Sequence, residues 1–96
     1  MIYLDDAELT IVKDILNKHL PNTEVWVFGS RAKGNVKPYS DLDLCIKTDN
    51  PLSFTELALL KEAFSGSDLP MRVDIVEWLT ITPEFQEVIK QKFEKI

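Results

Sequence analysis

The sequence predicts an α/β (α+β) chain built on a three-stranded mixed sheet covered by helices, in the order helix, strand, short helix, strand, helix, strand, helix. Three observations carry this. Apolar residues recur at helical spacing in three stretches, each opened by a residue suited to cap a helix. Between them lie short runs rich in Val, Ile, Phe and Trp, one of which alternates cleanly. No repeat, low-complexity tract or linker interrupts the pattern, so one domain spanning residues 1–96 is expected, with no room for a second.

The first helix is announced by Asp5, with Glu8 completing a capping box and Leu4 placed to staple against Leu9. Leu9, Val12, Ile15, Leu16 and Leu20 form its apolar face, and Pro21-Asn22 ends it. Glu24 to Phe28 reads as a strand that runs into Gly29-Ser30, after which Ser30 to Lys33 can form one helical turn. Gly34 to Ser40 is loop. In Asp41 to Lys47, Leu42, Leu44 and Ile46 point to one face and Asp41, Asp43 and Cys45 to the other.

Ser53 and Glu56 make a second capping box, followed by Phe54, Leu57, Ala58, Leu60 and Phe64 at helical spacing and a stop at Gly66. Met71 to Glu77 is the third strand, with Arg72, Asp74 and Val76 on one face. Thr82 caps the last helix with Pro83 at its first position, and Phe85, Val88, Ile89, Phe93 and Ile96 form its stripe. The helix between the second and third strands implies that these run parallel, while the loop between the first and second permits an antiparallel pair.

Composition narrows the function. A formal charge of −5 disfavours a nucleic-acid backbone as the main partner, since that task calls for a basic surface. No apolar run approaches the roughly 20 residues of a membrane span. The start of the chain lacks the basic and apolar regions of a signal peptide, and the single Cys45 cannot build a disulfide framework, so a cytoplasmic location is expected.

The chemistry is concentrated in Phe28-Gly29-Ser30-Arg31-Ala32-Lys33-Gly34 and, after ten residues that follow Ser30, Asp41-Leu42-Asp43-Leu44. A small-residue turn at a helix start lets backbone N–H groups approach a phosphate. Two carboxylates two residues apart on a strand are about 6.6 Å apart along it and share a side. They can therefore hold divalent cations against that phosphate, and Mg²⁺ suits them because it prefers oxygen ligands and shares its shell with substrate phosphates. The alternative is that Asp41 and Asp43 lie on the solvated face of an amphipathic strand, and Asp-x-Asp alone does not decide between the two. The glycine turn beside it is what favours phosphoryl or nucleotidyl transfer.

Two other motifs are excluded. Gly29 and Gly34 imitate the glycine spacing of a P-loop, but Asn35 and Val36 stand where Lys and Ser or Thr are required. Aspartate-nucleophile phosphatases carry Asp-x-Asp-x-Thr or Val, and Cys45 fills that last place.

Gly29-Ser30, ten residues, then Asp41-Leu42-Asp43 resembles the signature of the DNA polymerase β-like nucleotidyltransferase superfamily. Within it the chain resembles the minimal nucleotidyltransferases, the antitoxin half of HEPN/MNT toxin-antitoxin pairs. The match is close across Trp26 to Leu44, and the order of elements fits over nearly the full length. The resemblance implies the nucleotidyltransferase core fold with strand order 1-2-3, and a third carboxylate, Asp74, facing the side of Asp41 and Asp43. The alternative for Asp74 is an ion pair with Arg72. By the same resemblance Asp41, Asp43 and Asp74 would be catalytic and hold Mg²⁺ in a two-metal site. Gly29 and Ser30 would hold the β- and γ-phosphates of ATP, with Arg31 and Lys33 as further phosphate contacts or a solvated basic turn, and Tyr39 as a base stack or, preferentially, a loop anchor.

The implied activity is transfer of AMP from ATP to a tyrosine of a helical HEPN toxin, with which the protein would form a hetero-oligomer. Two rivals stand beside it: nucleotidyl transfer to a small molecule, and a binding module that neutralises its partner by covering it.

Overall fold

The computed structural model describes residues 1–96. Its elements are α1 (Asp6–His19), β1 (Glu24–Phe28), α2 (Ser30–Lys33), β2 (Leu42–Lys47), α3 (Phe54–Ser65), β3 (Val73–Glu77), α4 (Pro83–Gln91) and β4 (Glu94–Lys95). Local chemistry explains most of the boundaries. The Asp5 side chain accepts from the Glu8 amide and the Glu8 carboxylate accepts from the Asp5 amide, and Ser53 and Glu56 repeat the arrangement at α3. Each box satisfies two of the donors that a helix start leaves without intrahelical partners. Thr82 caps α4 through its hydroxyl, which accepts from the Phe85 amide.

The sheet has four strands in the order β3-β2-β1-β4, which corrects the expectation of three strands ordered 1-2-3. β1 and β2 pair antiparallel, β2 and β3 parallel, and β4 pairs antiparallel with the outer edge of β1. The fourth strand comes from residues assigned by spacing to the last helix. That helix stops at Gln91, Lys92 is extended, and Phe93 and Ile96 leave the helical stripe. Apolar residues three apart fit one face of a helix and equally the two opposite faces of a strand. The unpaired edge of β1 decides in favour of the strand: Ile96 donates its amide to the Val25 carbonyl at 3.1 Å, while Phe93 stacks on Trp26 with ring centroids 3.8 Å apart.

Both faces of the sheet are packed. On one, Val12, Leu16 and Leu20 of the first helical segment and Leu60 and Phe64 of α3 meet Val25, Val27, Leu42, Leu44 and Ile46. Leu42, Leu44 and Ile46 have no exposed surface, and burial of each stabilises the fold by about 1.5–3 kcal/mol. On the other face, Ile89 and Phe85 of α4 pack over Trp26, Cys45 and Val76. Phe54, Ala58 and Val88, expected on buried stripes, face solvent instead. The helices bury narrower faces than the spacing allowed. No helix is long and apolar enough to cross a membrane.

A buried arginine organises the connection from β1 to β2. Arg31 is 3% exposed. Its Nε donates to the Ser40 carbonyl at 3.0 Å, Nη1 to that of Tyr3 at 2.9 Å, and Nη2 to those of Pro38 and Lys37 at 3.2 and 3.4 Å. The Tyr3 amide returns a bond to the Arg31 carbonyl at 2.8 Å. One guanidinium thus ties the N-terminal segment, α2 and the loop that ends at Asp41 into one unit. Lysine cannot replace that planar fork. Arg31→Gln and Arg31→Lys are each expected to lower unfolding free energy by about 3 kcal/mol in urea titrations, because a buried, charge-assisted set of four hydrogen bonds is broken or incompletely replaced.

Candidate active site

The site begins with the antiparallel register that sets Phe28 opposite Asp43, and the parallel register that sets Asp43 opposite Asp74. Phe28, Asp43 and Asp74 therefore form one row across three strands on one face. The next row on that face is Trp26, Cys45 and Val76, which is apolar and lies under α4. An acidic row thus borders a covered apolar row, and Asp43 is drawn partly into the protein.

Gly29 follows Phe28 and turns the chain into α2. Its φ of 71° and ψ of −153° fall in a region open essentially to glycine alone. A Cβ there would also collide with the Asp43 carboxylate, its Cγ lying at 3.2 Å and Oδ2 nearer still. The main chain of Gly29 and the side chain of Asp43 are in direct apposition for want of that one carbon. The Ala32 and Lys33 amides close on the Gly29 carbonyl at 3.1 and 3.0 Å. As at any helix start, the earliest amides find no partner within the helix, which favours an anion there.

The electrostatics reflect the crowding. Burial, then the charge of Asp74 and that of Asp41, push the Asp43 carboxyl from its ordinary 3.8 up to about 6. Asp41 and Asp74 are more open, and Arg72 lies between them, with Nη2 at 3.3 Å from Asp41 Oδ2 and Nε at 3.8 Å from Asp74 Oδ1. Asp74 thus stands opposite Asp43 in the acidic row and also pairs with Arg72. Burial raises the Cys45 thiol to about 11, which removes it as a thiolate nucleophile at neutral pH.

The donor set fits a hard cation. All three candidates offer carboxylate oxygens, the ligand type Mg²⁺ prefers. They do not form a closed cage, since no three acidic, histidine or cysteine side chains stand together as a ready metal-holding group. Mg²⁺ commonly keeps several waters and completes its shell with substrate phosphates, so an open acidic face suits it better than a cage.

Of the remaining candidates, Gly29 and Ser30 adjoin the acidic row and Lys33 is exposed at the end of α2. Arg31 does not join them. Its guanidinium is committed to four carbonyls inside the protein, which corrects the expectation of a phosphate contact. Tyr39 is 76% exposed and anchors nothing, the anchoring role in that loop falling to Arg31. It borders a cavity of about 490 Å³ with Lys37, Asp5 and Glu8, set apart from the acidic row. The bridging position of Arg72 between two carboxylates was not legible from Arg72-Val73-Asp74, because its second partner, Asp41, lies just before β2, far off in sequence.

A mixed sheet that gathers carboxylates beside a glycine turn defines a protein of the nucleotidyl-transfer class. The model of the nucleotidyltransferase domain family matches residues 9–96, and the chain belongs to that family. A relative from Haemophilus influenzae, named as a probable protein adenylyltransferase, MntA, is 52% identical over 90 residues, covering 94% of this chain and 79% of its own length. A solved toxin-antitoxin structure with AMP-PNP superposes with a TM-score of 0.74 at 18% identity, over 90% of this chain and 69% of that one. A second, of a tri-AMPylated Shewanella oneidensis HEPN toxin with its MNT antitoxin, gives 0.65 at 21% identity, over 92% and 66%. At those identities the two structures establish a shared fold.

Two outcomes test this geometry. Gly29→Ala is expected to lower stability by at least about 1–3 kcal/mol from backbone strain alone, with a smaller loss in an Asp43→Ala background where the carboxylate no longer obstructs the new methyl. Urea titrations of the double-mutant cycle measure the coupling. The second concerns pH. Between about 4 and about 6 native Asp43 keeps a proton that the unfolded chain has lost, so its contribution favours folding at low pH and is lost as pH rises. In metal-free protein the melting temperature of Asp43→Asn relative to the unsubstituted chain is therefore expected to rise over that interval and level off above it.

Proposed function

We propose that the protein is a Mg²⁺-dependent adenylyltransferase that moves AMP from ATP to a tyrosine of a helical HEPN toxin, and so acts as the antitoxin of the pair. The observation that carries the reading is the row of Asp43 and Asp74 set against the bare main chain of Gly29. The kinship with MntA supports the protein acceptor. In this reading residues 1–96 act as one nucleotidyltransferase domain in a hetero-oligomer with the toxin, in the cytoplasm, where ATP and Mg²⁺ are available.

Asp41 and Asp43 would hold the cation, with Asp74 completing the set. Bound there, Mg²⁺ supplies charge neutralisation of the phosphates and orients them for in-line displacement. Gly29 and Ser30 cradle the β- and γ-phosphates through main-chain and hydroxyl donors, and Lys33 lies within the same turn as a further phosphate contact. The acceptor tyrosine, brought by the partner, loses its proton to Asp74 as its oxygen attacks the α-phosphorus. A new P–O bond forms to the tyrosine, the bond between the α-phosphorus and its bridging oxygen breaks, and pyrophosphate leaves. Such a reaction relies on positioning and electrostatics, not on a covalent enzyme intermediate. The raised Asp43 carboxyl makes cation and proton compete there, so cation affinity should fall as pH drops through about 6.

The test is incubation of the protein with α-labelled ATP, Mg²⁺ and the protein encoded by the adjacent gene. Label on a tyrosine of that protein is expected. Asp41→Asn and Asp43→Asn should each reduce the rate about a hundredfold or more, and chelation of Mg²⁺ should abolish it. A complex that forms without label and is indifferent to both substitutions would leave a binding module in place of an enzyme.

A further inference from the structure

Arg72 is the basic side chain whose ion pairs fall on the acidic group, and its main chain and side chain differ in constraint. The Leu42 amide donates to the Arg72 carbonyl at 2.9 Å, which fixes the backbone beside the start of β2. The side chain is 75% exposed and rests between two acceptors, at 3.3 Å from Asp41 and 3.8 Å from Asp74. It does not pair with Asp43, the carboxylate set deepest in the row. Arg31 provides the contrast: buried and held by four carbonyls, it has no freedom to change partners.

A guanidinium bridging two exposed carboxylates is held weakly, because solvent screens both pairs. It also occupies the oxygens that a divalent cation needs. Its planar donor fork suits phosphate oxygens as well as it suits carboxylates. We propose that Arg72 is an exchangeable counter-ion: it neutralises Asp41 and Asp74 when no cation is bound, yields them to the cation, and turns to the phosphates of the incoming nucleoside triphosphate.

The exchange couples the two ligands. A cation binding alone must displace Arg72 and leave it with no anion to pair with. A cation binding with a triphosphate gives Arg72 a new partner, so each ligand strengthens the other. The spacing serves this role, since Arg72 and Asp74 stand two residues apart on one extended segment and share a face, while Asp41 lies across from them at the residue just before β2. The inference rests on the nucleotidyl-transfer reading of the acidic row and adds a residue that acts on ligand binding.

Binding measurements test it without turnover. Free Mn²⁺ is followed by electron paramagnetic resonance, with and without an ATP analogue blocked at the α,β bridge, for the unsubstituted protein, Arg72→Gln and Arg72→Lys. Arg72→Gln is expected to bind Mn²⁺ alone about two- to five-fold more tightly, the scale of exposed ion pairs, and to bind the analogue at saturating Mn²⁺ more weakly by a similar factor. Arg72→Lys should fall between, keeping the charge and losing the fork. Changes of opposite sign support the exchange. Both affinities falling together would show a merely structural role and overturn it, as would no change in either. If the unsubstituted protein binds Mn²⁺ but no nucleotide, the nucleotidyl-transfer reading fails and the exchange fails with it. If it binds both and Arg72→Gln matches it, the exchange alone fails.

Discussion

The structure turns on a carbon atom that is not there. Gly29 takes a backbone conformation closed to side chains, and the space its Cβ would fill belongs to the Asp43 carboxylate. That contact brings the end of β1, the start of α2 and the middle of the acidic row together. With a side chain at this position the turn would have to open or Asp43 would have to leave its row, and the glycine turn and the carboxylates would separate. In the proposed reaction the turn and the acids act on the same triphosphate, and their apposition is what that reading requires.

Two arginines manage the consequences in opposite ways. Arg31 is buried and structural, holding the N-terminal segment and the loop before Asp41 through four carbonyl acceptors that satisfy its own buried donors. Arg72 is exposed and loosely paired with two carboxylates of the acidic group. The acidic row itself is a source of instability, because Asp43 is half-buried beside two like charges. The fold offsets this elsewhere, through two packed sheet faces and the aromatic layer of Trp26, Phe93 and Trp78. Placing the acidic row at the border of the layer under α4 raises the charge cost of Asp43 and keeps it close to Gly29.

Much of the fold was legible because local signals agreed with tertiary outcome. The capping boxes at Asp5 and Ser53, Pro83 after Thr82, and the alternation of Leu42, Leu44 and Ile46 each reflect short-range chemistry that the folded chain keeps. The failures share a cause. Phe93 and Ile96 carry a spacing that helix and strand both accept, and only the free edge of β1 settles which forms. Phe54 fits an apolar stripe by spacing yet is 89% exposed, since no other element reaches it. Arg31 stands in a turn where a basic residue suits phosphate, and its burial depends on carbonyls from Tyr3 and from residues 37–40.

The sequence by itself determined the glycine turn, the two-residue spacing of Asp41 and Asp43 along one extended segment, and the helix-strand order as far as α4, because these follow from backbone preferences and from the period of side chains along an extended chain. Tertiary structure alone decided the rest of the site. Strand register set Asp74 beside Asp43, the meeting of three segments buried Arg31, and the residue leading into β2 gave Arg72 its second carboxylate. Register and long-range pairing are properties of two segments at once, and a pattern read along one segment carries no record of the other.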